Sequence, residues 1–419
     1  MHDFKYVNDE LYCEGVPVSR IAEEVGTPFY LYSARTLTNH YRVFDRAFSG
    51  LRHIICYSVK ANSNVAILKL LIKEGAGVDI VSGGELYRAL QAGVEPGKVV
   101  YSGVGKRVDE IEFALATDIL MFNIESSEEL MMIDRCAGRM KKKARIAVRI
   151  NPDVDPRTHP HISTGLKENK FGVNIEKSLE TYRWARTLGN IEVTGVDCHI
   201  GSQVTRVEPF VDALKRLKKL IGLLEKEDLH IRYLDLGGGL GITYDQELPP
   251  HPEEYARAVK EVVEDTDVTV ILEPGRVIVG NAGIMVTRVL YRKHNENKNF
   301  VIVDAGMNDL IRPSLYGSFH AVQPVVKKER EEFFADIVGP ICESGDFIAK
   351  SRPVPKLEGG ELLAVMSAGA YGFTMSSNYN SRPRIPEVLA DGEDYYVIRK
   401  RETYADLVRG EEIPDFLNR

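Results

Sequence analysis

The sequence predicts an α/β protein with two domains, a (β/α)8 barrel over residues 27–279 and a mostly antiparallel β domain over residues 280–419. Eight short apolar runs, each followed by a helical pattern or a loop, predict the barrel. After Gly275 this alternation stops, and alternating runs at Gly283–Lys293 and Phe300–Asp304 predict the β domain. Residues 1–26 contain short extended pieces, and the residue pattern alone leaves open whether they join the β domain.

The strand count distinguishes the predicted barrel from an open doubly wound sheet, which is the structural alternative. The eight predicted strands are His53–Lys60, Gly77–Ser82, Val99–Val104, Ile119–Glu125, Ala144–Asn151, Val193–Ile200, Tyr233–Gly239 and Val268–Gly275. The predicted helices include Asn64–Glu74, Gly84–Ala92, Ser126–Met140, Ser178–Leu188 and Val207–Lys226. A long interval, Pro152–Glu192, contains the proline-rich segment Asp155–His161, and long loops at the carboxyl face of a barrel often build sites.

Composition and charge limit the class of protein. With 44% hydrophobic and 27% charged residues, the chain has the composition of an ordinary globular protein. Its net charge of −7 argues against nucleic acid or an acidic membrane surface as a partner. The five scattered cysteines form no CxxC pair, which favours a reducing compartment over disulfides or a metal site. No signal pattern and no apolar run of ~18 residues is present, so we expect a cytoplasmic protein without a membrane partner.

Lys60 is the residue around which the predicted site is organised. It lies in Tyr57–Asn62, where the first barrel strand ends and a helix is about to begin. A lysine in a barrel mouth can be desolvated, and desolvation lowers the pKa of an amine. The neutral amine is a nucleophile that forms a Schiff base with an aldehyde. The alternative is a lysine that ends a strand in solvent.

Two further motifs end the seventh and eighth strands. The segment Leu234–Gly241 contains three consecutive glycines, whose backbone N–H groups can approach an anion such as phosphate. A tight turn without a ligand is the alternative. Glu273 and Arg276 follow in Glu-Pro-Gly-Arg. They are either a structural ion pair or the partners of a cationic nitrogen and an anionic group on a ligand.

Two other candidates lie on the sixth strand and in the β domain. His199 precedes Gly-Ser-Gln, and the Ser202 hydroxyl of this segment can donate to a phosphate. A satisfied core histidine is the alternative. Cys342 and Glu343 open the segment Cys-Glu-Ser-Gly-Asp. A thiol can donate a proton, and these polar neighbours argue that Cys342 does not merely fill a core.

Taken in this order, from about Pro28 to Tyr371, these motifs resemble the fold-type III pyridoxal-phosphate-dependent decarboxylases, and most closely the diaminopimelate decarboxylases. The resemblance implies an alanine-racemase-like barrel and a β domain that residues 1–26 join together with residues 280–419. It implies pyridoxal 5'-phosphate as the cofactor and a small amino acid as the substrate. It also implies a homodimer in which both subunits contribute to each active site.

The resemblance gives each matching residue an expected role. The expected catalytic residues are Lys60 as the Schiff-base lysine, His199, which would stack against the cofactor ring, and Cys342 of the partner subunit as the proton donor. The expected cofactor-binding residues are Lys60, His199, Ser202, Gly237, Gly238, Gly239, Glu273, Gly275, Arg276 and Tyr371. The expected substrate-binding residues are Arg276, Arg312, Tyr316, Tyr371 and, from the partner subunit, Glu343. Asp79, Thr164-Gly165 and Lys170-Phe171-Gly172 also match the family, without a defined role.

The implied activity is decarboxylation of meso-2,6-diaminopimelate to L-lysine and CO2, the last step of lysine biosynthesis. Glu273 would keep the pyridine nitrogen protonated, where alanine racemases of this fold have an arginine. Ornithine, arginine and lysine decarboxylases of the fold usually have an aspartate after the catalytic cysteine, where this chain has Glu343. Arg312 and Tyr316 favour a substrate with a second carboxylate, since arginine is a poor neighbour for a terminal ammonium group. The Ser163–Lys167 stretch also resembles the diaminopimelate enzymes.

A catalytically inactive binding protein of the same fold is the alternative from another functional class. Such a protein would be expected to lack Lys60, the glycine run or Cys342, and all of these are present. A small non-enzymatic pyridoxal-phosphate-binding protein of the same barrel would lack the β domain, which the length of 419 residues excludes.

Overall fold

The structure is a computed structural model that describes residues 2–155, 170–296 and 298–418. It divides the chain into two compact units, Leu37–Val279 and Met1–Thr36 together with Gly280–Arg419. This division falls after Thr36, whereas the predicted boundary falls before residue 27. The reason is strand Phe29–Ser33, which pairs with strands Gly283–Asn295 and Glu387–Asp391 of the second segment.

The unit Leu37–Val279 is a closed barrel of eight parallel strands, which confirms the predicted fold class and excludes the open sheet. The strands are β1 (His53–Ser58), β2 (Gly77–Ile80), β3 (Val99–Tyr101), β4 (Met121–Ile124), β5 (Ala144–Asn151), β6 (Ile191–Asp197), β7 (Tyr233–Asp235) and β8 (Thr269–Leu272). Each strand pairs in parallel with the next one along the chain. The pairing of β8 with β1 closes the sheet.

Helices connect the barrel strands. In chain order they are Ala34–Ala47, Val65–Lys73, Gly83–Ala92, Val108–Thr117, Ser127–Arg139, Ile175–Ala185, Glu208–Glu225, Pro252–Val263 and Arg276–Val279. A hydroxyl group caps helix Ser127–Arg139, because Ser126 Oγ accepts a hydrogen bond from the Glu129 N–H at 3.2 Å. The helix predicted from residue 178 begins at Ile175, where the Asn174 side chain caps it. Helices Val108–Thr117 and Pro252–Val263 were not predicted.

The barrel interior has an apolar layer and a polar layer. Cys56, Val100, Met121, Ala147 and Ile271 belong to one buried apolar cluster. Because side chains of a strand alternate between its two faces, the residue two positions further on points the same way. Those residues, in the same order, are Ser58, Ser102, Asn123, Arg149 and Glu273, all buried and all polar. The sheet therefore presents a ring of polar side chains at the carboxyl ends of its strands.

The unit Met1–Thr36 with Gly280–Arg419 is built on β-strands, most of which pair antiparallel. They are Phe4–Val7, Glu10–Cys13, Val16–Pro17, Phe29–Ser33, Gly283–Asn295, Lys298–Val303, Val322–Pro324, Glu332–Val338, Phe347–Pro355, Leu362–Val365, Glu387–Asp391 and Asp394–Arg399. Three short helices accompany them, Val18–Val25, Arg312–Tyr316 and Tyr404–Leu407. The core of this unit joins Leu11 and Ile21 of the first segment to Ile284 and Val388 of the second.

Strand Phe347–Pro355 contains two prolines, Pro353 and Pro355. Among the described residues, it pairs along the main sheet on one side, with Glu332–Val338. An edge strand tolerates Pro353 and Pro355, because the missing N–H groups face away from the ladder.

Within the described ranges, no helix combines the length and the apolar character that a membrane span needs. The same residues contain no group of three or more histidine, cysteine, aspartate or glutamate side chains arranged for a metal ion. All five cysteines are free thiols, and Cys342 alone among them is exposed.

Gly77 and Gly97 give a matched pair of variants that tests the barrel packing. A Cβ at Gly77 would lie 2.2 Å from the Lys98 backbone oxygen, so Gly77→Ala forces β2 away from β3. A Cβ at Gly97 meets nothing within 4 Å. Urea unfolding should show that Gly77→Ala lowers the free energy of unfolding by about 1–3 kcal/mol. Gly97→Ala should change it by less than ~0.5 kcal/mol, and equal effects would contradict the packing shown here.

Candidate active site

Lys60 lies in the one-turn segment Val59–Ala61, directly after β1. Its Nζ is 2.6 Å from Oδ2 of Asp79, a fully buried carboxylate at the end of β2. Ser58 Oγ lies 2.8 Å from the same carboxylate oxygen. The Lys60 side chain remains one-third exposed. Asp79, which matched the family without a defined role, thus fixes the amine while leaving it accessible from the carboxyl face of the barrel.

Glu273 follows β8 and is buried. Ser102, at the end of β3, donates from its Oγ to Glu273 Oε1 at 3.3 Å. Arg276 has other contacts: it donates to Tyr244 Oη at 2.7 Å and to Ser202 Oγ at 3.0 Å. The guanidinium with its two hydroxyl partners is a suitable environment for an anion such as a phosphate.

His199 follows β6 and is half-buried. Its Nδ1 accepts a hydrogen bond from the Gly238 N–H at 3.1 Å, so this ring nitrogen carries no proton. Burial lowers the pKa of His199 well below its usual value, and the positive charges of Arg149 and Lys60 lower it further. The contact and the charges both favour a neutral ring with its proton on Nε2.

The glycine run after β7 is required by close backbone packing. A Cβ at Gly238 would lie 2.2 Å from the Glu273 backbone oxygen, and one at Gly239 would lie 2.4 Å from the Gly201 backbone oxygen. Gly237 and Gly239 have φ values of +62° and +115°, which favour glycine. The run brings the chain after β7 against the segments that follow β6 and β8.

The carboxyl end of the barrel holds more buried acids than bases. Burial raises the pKa of Glu273 and of Asp197 well above their usual values, and neighbouring carboxylates raise it further. Burial and the neighbouring Asp197 raise the pKa of Asp235 to about 7. Lys60 and Arg149 lower the pKa of Glu273. A positively charged group on a ligand would therefore be stabilised here.

Part of the long predicted loop after β5 contributes to this environment. Arg149 donates to Glu125 Oε1 at 2.7 Å, and both side chains are buried. The Arg149 guanidinium lies over the Phe171 ring at 4.8 Å, and the Gly172 N–H donates to Glu125 Oε2 at 2.8 Å. The Phe171-Gly172 match thus has a structural contact. The predicted segments Asp155–His161, Thr164-Gly165 and Ser163–Lys167 lie outside the described residues, apart from Asp155 itself.

Arg312 and Tyr316 are the first and last residues of one short helix. Their spacing of four residues places both side chains on the same helix face. Arg312 is buried and donates to His320 Nε2 at 3.0 Å and Ser318 Oγ at 3.4 Å. His320 Nδ1 lies 2.8 Å from the Met366 carbonyl oxygen and must donate to it, so the ring accepts from Arg312 at Nε2.

Cys342 and Glu343 lie in an exposed turn of the β unit. The buried Asp346 carboxylate fixes this turn by accepting hydrogen bonds from the Ile341 and Met307 N–H groups, each at 2.7 Å. The Cys342 N–H donates to Asn380 Oδ1 at 2.8 Å, and Glu343 accepts from Tyr379 Oη at 2.7 Å. The thiol and the carboxylate are thus held on the surface of a single subunit.

Tyr371 has a backbone φ of +57°. This left-handed conformation is unfavourable for a bulky aromatic residue, and such residues cluster at functional sites. The role of Tyr371 as a site residue stays a prediction.

The structure thus groups the predicted residues by unit. In the barrel unit, Lys60, His199, Ser202, the glycine run, Glu273, Gly275 and Arg276 all follow the carboxyl ends of strands. In the β unit, Arg312 and Tyr316 share a helix, Cys342 and Glu343 share a turn, and Tyr371 stands apart in sequence. Sequence reasoning missed Ser102, Asn123, Arg149, Asp197, Asp235 and Tyr244. Four of these six interrupt apolar strands, a pattern that signals a paired buried group.

Comparisons with known proteins identify the family. Residues 34–280 match the pyridoxal binding domain of the pyridoxal-dependent decarboxylases. The chain is 52% identical over 413 residues to diaminopimelate decarboxylase of Pseudomonas aeruginosa, with 99% of each chain covered. The crystal structure of Helicobacter pylori diaminopimelate decarboxylase with L-lysine has a TM-score of 0.91 at 44% identity, covering 93% of this chain and 98% of that one. The M. jannaschii enzyme with L-lysine has a TM-score of 0.95 at 36% identity over the full length of both.

The chain belongs to the diaminopimelate decarboxylase family of pyridoxal-dependent decarboxylases. The cofactor of this family is pyridoxal phosphate, and the side chains at the carboxyl end of the barrel fit its three parts. An accessible amine at Lys60 suits its aldehyde, and the buried acid Glu273 suits its protonated ring nitrogen. Arg276 with its hydroxyl partners suits its phosphate.

The His199 contacts predict a specific protonation state for this member of the family. Because its pKa is lowered, the ring should remain neutral between about pH 8 and pH 6, with the proton on Nε2. Nitrogen-15 NMR of histidine-labelled protein measures this, and the spectrum of His199→Asn identifies the signal. A ring that gains charge within this range, or that carries its proton on Nδ1, would contradict the contact with Gly238.

Proposed function

We propose that the protein decarboxylates meso-2,6-diaminopimelate to L-lysine and CO2, the last step of lysine biosynthesis, with pyridoxal 5'-phosphate as cofactor. The observation that carries this proposal is the 52% identity to a diaminopimelate decarboxylase across 99% of both chains. The aligned region extends over both units. Two structurally similar decarboxylases were crystallised with L-lysine, the expected product.

The bound cofactor supplies an electron sink for the pair that remains on the substrate Cα when CO2 leaves. Glu273 would accept a hydrogen bond from the ring nitrogen and hold its proton, because a buried carboxylate strongly favours a cationic partner. The neutral His199 ring would pack against the cofactor without adding positive charge. Ser202, Arg276 and the glycines at 237, 238, 239 and 275 would bind the phosphate.

Lys60 would form the covalent bond to the cofactor through Nζ. Asp79 orients this amine by their 2.6 Å contact, and the one-third exposure of the side chain leaves it room to react. Lys60 is the middle residue of the one-turn segment Val59–Ala61, which directly follows β1.

Substrate recognition would come largely from the β unit. A buried guanidinium at Arg312, with neutral acceptors at His320 and Ser318, is suited to a carboxylate of the substrate. Tyr316 on the same helix face, together with Tyr371, Arg276 and, from the partner subunit, Glu343, would complete the substrate contacts. Binding of the distal carboxylate supports catalysis by fixing the reacting end in place.

We place the Cys342 thiol as the proton donor to Cα, acting from the partner subunit of a homodimer. The support is its position beside Glu343 in a turn that a single subunit leaves exposed. The free thiols agree with a cytoplasmic enzyme, where cysteines remain reduced.

Product analysis tests the proposed reaction. The purified protein with pyridoxal phosphate should release CO2 and lysine from meso-diaminopimelate, and not CO2 from ornithine, arginine or carboxynorspermidine.

Lys60→Ala should lose the visible absorbance of the bound cofactor and at least about 10³-fold in activity. Lys73→Ala, which removes an exposed lysine at the end of helix Val65–Lys73, should stay within about twofold of the unmodified protein. Turnover of another substrate alone would refute the substrate assignment, and a retained cofactor band in Lys60→Ala would refute the role of Lys60.

Subunit mixing tests the shared active site. Lys60→Ala and Cys342→Ala proteins should each be inactive, whereas an equal mixture of dissociated and reassociated subunits should recover about one quarter of wild-type activity. The reason is that half of the dimers are mixed, and each mixed dimer has one site with both intact residues. A mixture that remains inactive although native mass spectrometry shows mixed dimers would place Cys342 and Lys60 of one site on the same chain.

A further inference from the structure

We propose that Ser102 and Asn123 are positioning residues that orient Glu273 toward the ring nitrogen of the bound cofactor. This inference rests on the proposed function, because it assigns the partner of Glu273. Neither residue was singled out by the sequence patterns, and neither needs to touch the substrate.

The proposal rests on one continuous chain of buried hydrogen bonds. Asn123 Nδ2 donates to Asp235 Oδ2 at 3.0 Å and to Ser102 Oγ at 3.2 Å. Ser102 Oγ donates to Glu273 Oε1 at 3.3 Å. The Gly237 N–H donates to Asp235 Oδ1 at 2.9 Å. This series of hydrogen bonds therefore extends from the glycines after β7, through Asn123 of β4 and Ser102 after β3, to the Glu273 carboxylate after β8.

The chemistry of the groups determines which one donates in each of these hydrogen bonds. An amide NH2 group can only donate, so Ser102 Oγ must accept from Asn123. The hydroxyl hydrogen of Ser102 is then available for Glu273. Asp235 decides which end of the Asn123 amide faces Ser102, because its carboxylate oxygen accepts from the NH2 end and would repel the amide oxygen.

The backbone around Ser102 and Asn123 is held by a second, independent set of contacts. Lys106 has a fully buried side chain, and its Nζ donates to the backbone oxygens of Gly103 at 2.8 Å and Asn123 at 2.7 Å. Its third contact is Glu129 Oε1 at 2.6 Å. One lysine thus connects the residue after Ser102 to Asn123 itself, which fixes the separation of the two hydrogen-bonding side chains.

The charges around Glu273 explain why a donor is needed there. Asp235, Asp79 and Asp197 face it with like charge, while Lys60 and Arg149 face it with opposite charge. Burial favours the neutral acid, whereas the ring nitrogen requires the ionised carboxylate as its acceptor. A hydrogen bond from Ser102 stabilises the ionised form and leaves the other carboxylate oxygen to the ring.

The test compares Ser102→Ala, Ser102→Thr and Asn123→Asp with the matched control Ser178→Ala. Ser178 is a buried serine of helix Ile175–Ala185 whose Oγ donates to the Ile175 carbonyl oxygen. Three experiments are made: kcat and KM as functions of pH, the dissociation constant for pyridoxal phosphate, and the pH titration of the visible absorbance of the resting holoenzyme. The last two do not require turnover.

We expect Ser102→Ala and Asn123→Asp to lower kcat about 10- to 100-fold, with KM within about threefold. The high-pH limb of kcat and the absorbance titration should both move toward higher pH by about one unit, because the Glu273 carboxylate becomes more basic and its pair with the ring nitrogen holds the shared proton more tightly. The cofactor should bind about tenfold more weakly. Ser102→Thr, which keeps the hydroxyl, and Ser178→Ala should both resemble the unmodified protein.

Two results would overturn the proposal. One is a Ser102→Ala enzyme whose pH titration matches the unmodified protein, since the hydroxyl would then not act on Glu273. The other is an equal loss in Ser102→Thr, which would indicate a packing defect. If the unmodified holoenzyme does not turn over diaminopimelate, the proposed function fails, while the absorbance titrations still decide the roles of Ser102 and Asn123.

Discussion

The burial of carboxylates at the carboxyl ends of parallel strands is the constraint on which the rest of the barrel site depends. A carboxylate in this position loses its hydration and must be compensated by cations or hydrogen-bond donors. Asp79 is compensated by Lys60 and Ser58, and Glu125 by Arg149 and the Gly172 N–H. Each of these contacts joins residues that lie on, or after, different strands. The contacts that compensate the buried carboxylates therefore also hold the site residues in the positions that the reaction requires.

The barrel could be predicted because its signals are local: apolar runs separated by helical patterns are visible within short windows, and all eight predicted strands are present. The division of the chain was harder for a physical reason. Strand Phe29–Ser33 followed by helix Ala34–Ala47 has the same local pattern as a barrel unit. Its pairing with Gly283–Asn295 depends on residues about 250 positions away, which no local pattern contains.

The predicted site shows the same limit. Lys60, the glycine run and Glu273 lie in segments whose residue types suggest chemistry by themselves. Asn123 acquires its meaning only when barrel closure brings it to Asp235, 112 residues later in the chain. The left-handed conformation of Tyr371 is likewise invisible in the sequence, because tyrosine gives no local preference for it. The two layers of the barrel interior nevertheless offer a usable rule. A polar residue two positions after a buried apolar strand residue marks the polar layer.

Glu273 combines two requirements that oppose each other. Burial strengthens its interaction with a cationic ring nitrogen, but burial also raises its pKa and favours the neutral acid, which is a weaker partner. Lys60 and Arg149 favour the ionised form through charge. Charge alone does not orient a carboxylate, since it acts equally over many rotations. A hydroxyl donor such as Ser102 acts in one direction, and its own orientation is set by Asn123 and Asp235. The buried acid thus depends on neutral hydrogen-bonding groups for its direction and on distant charges for its ionisation.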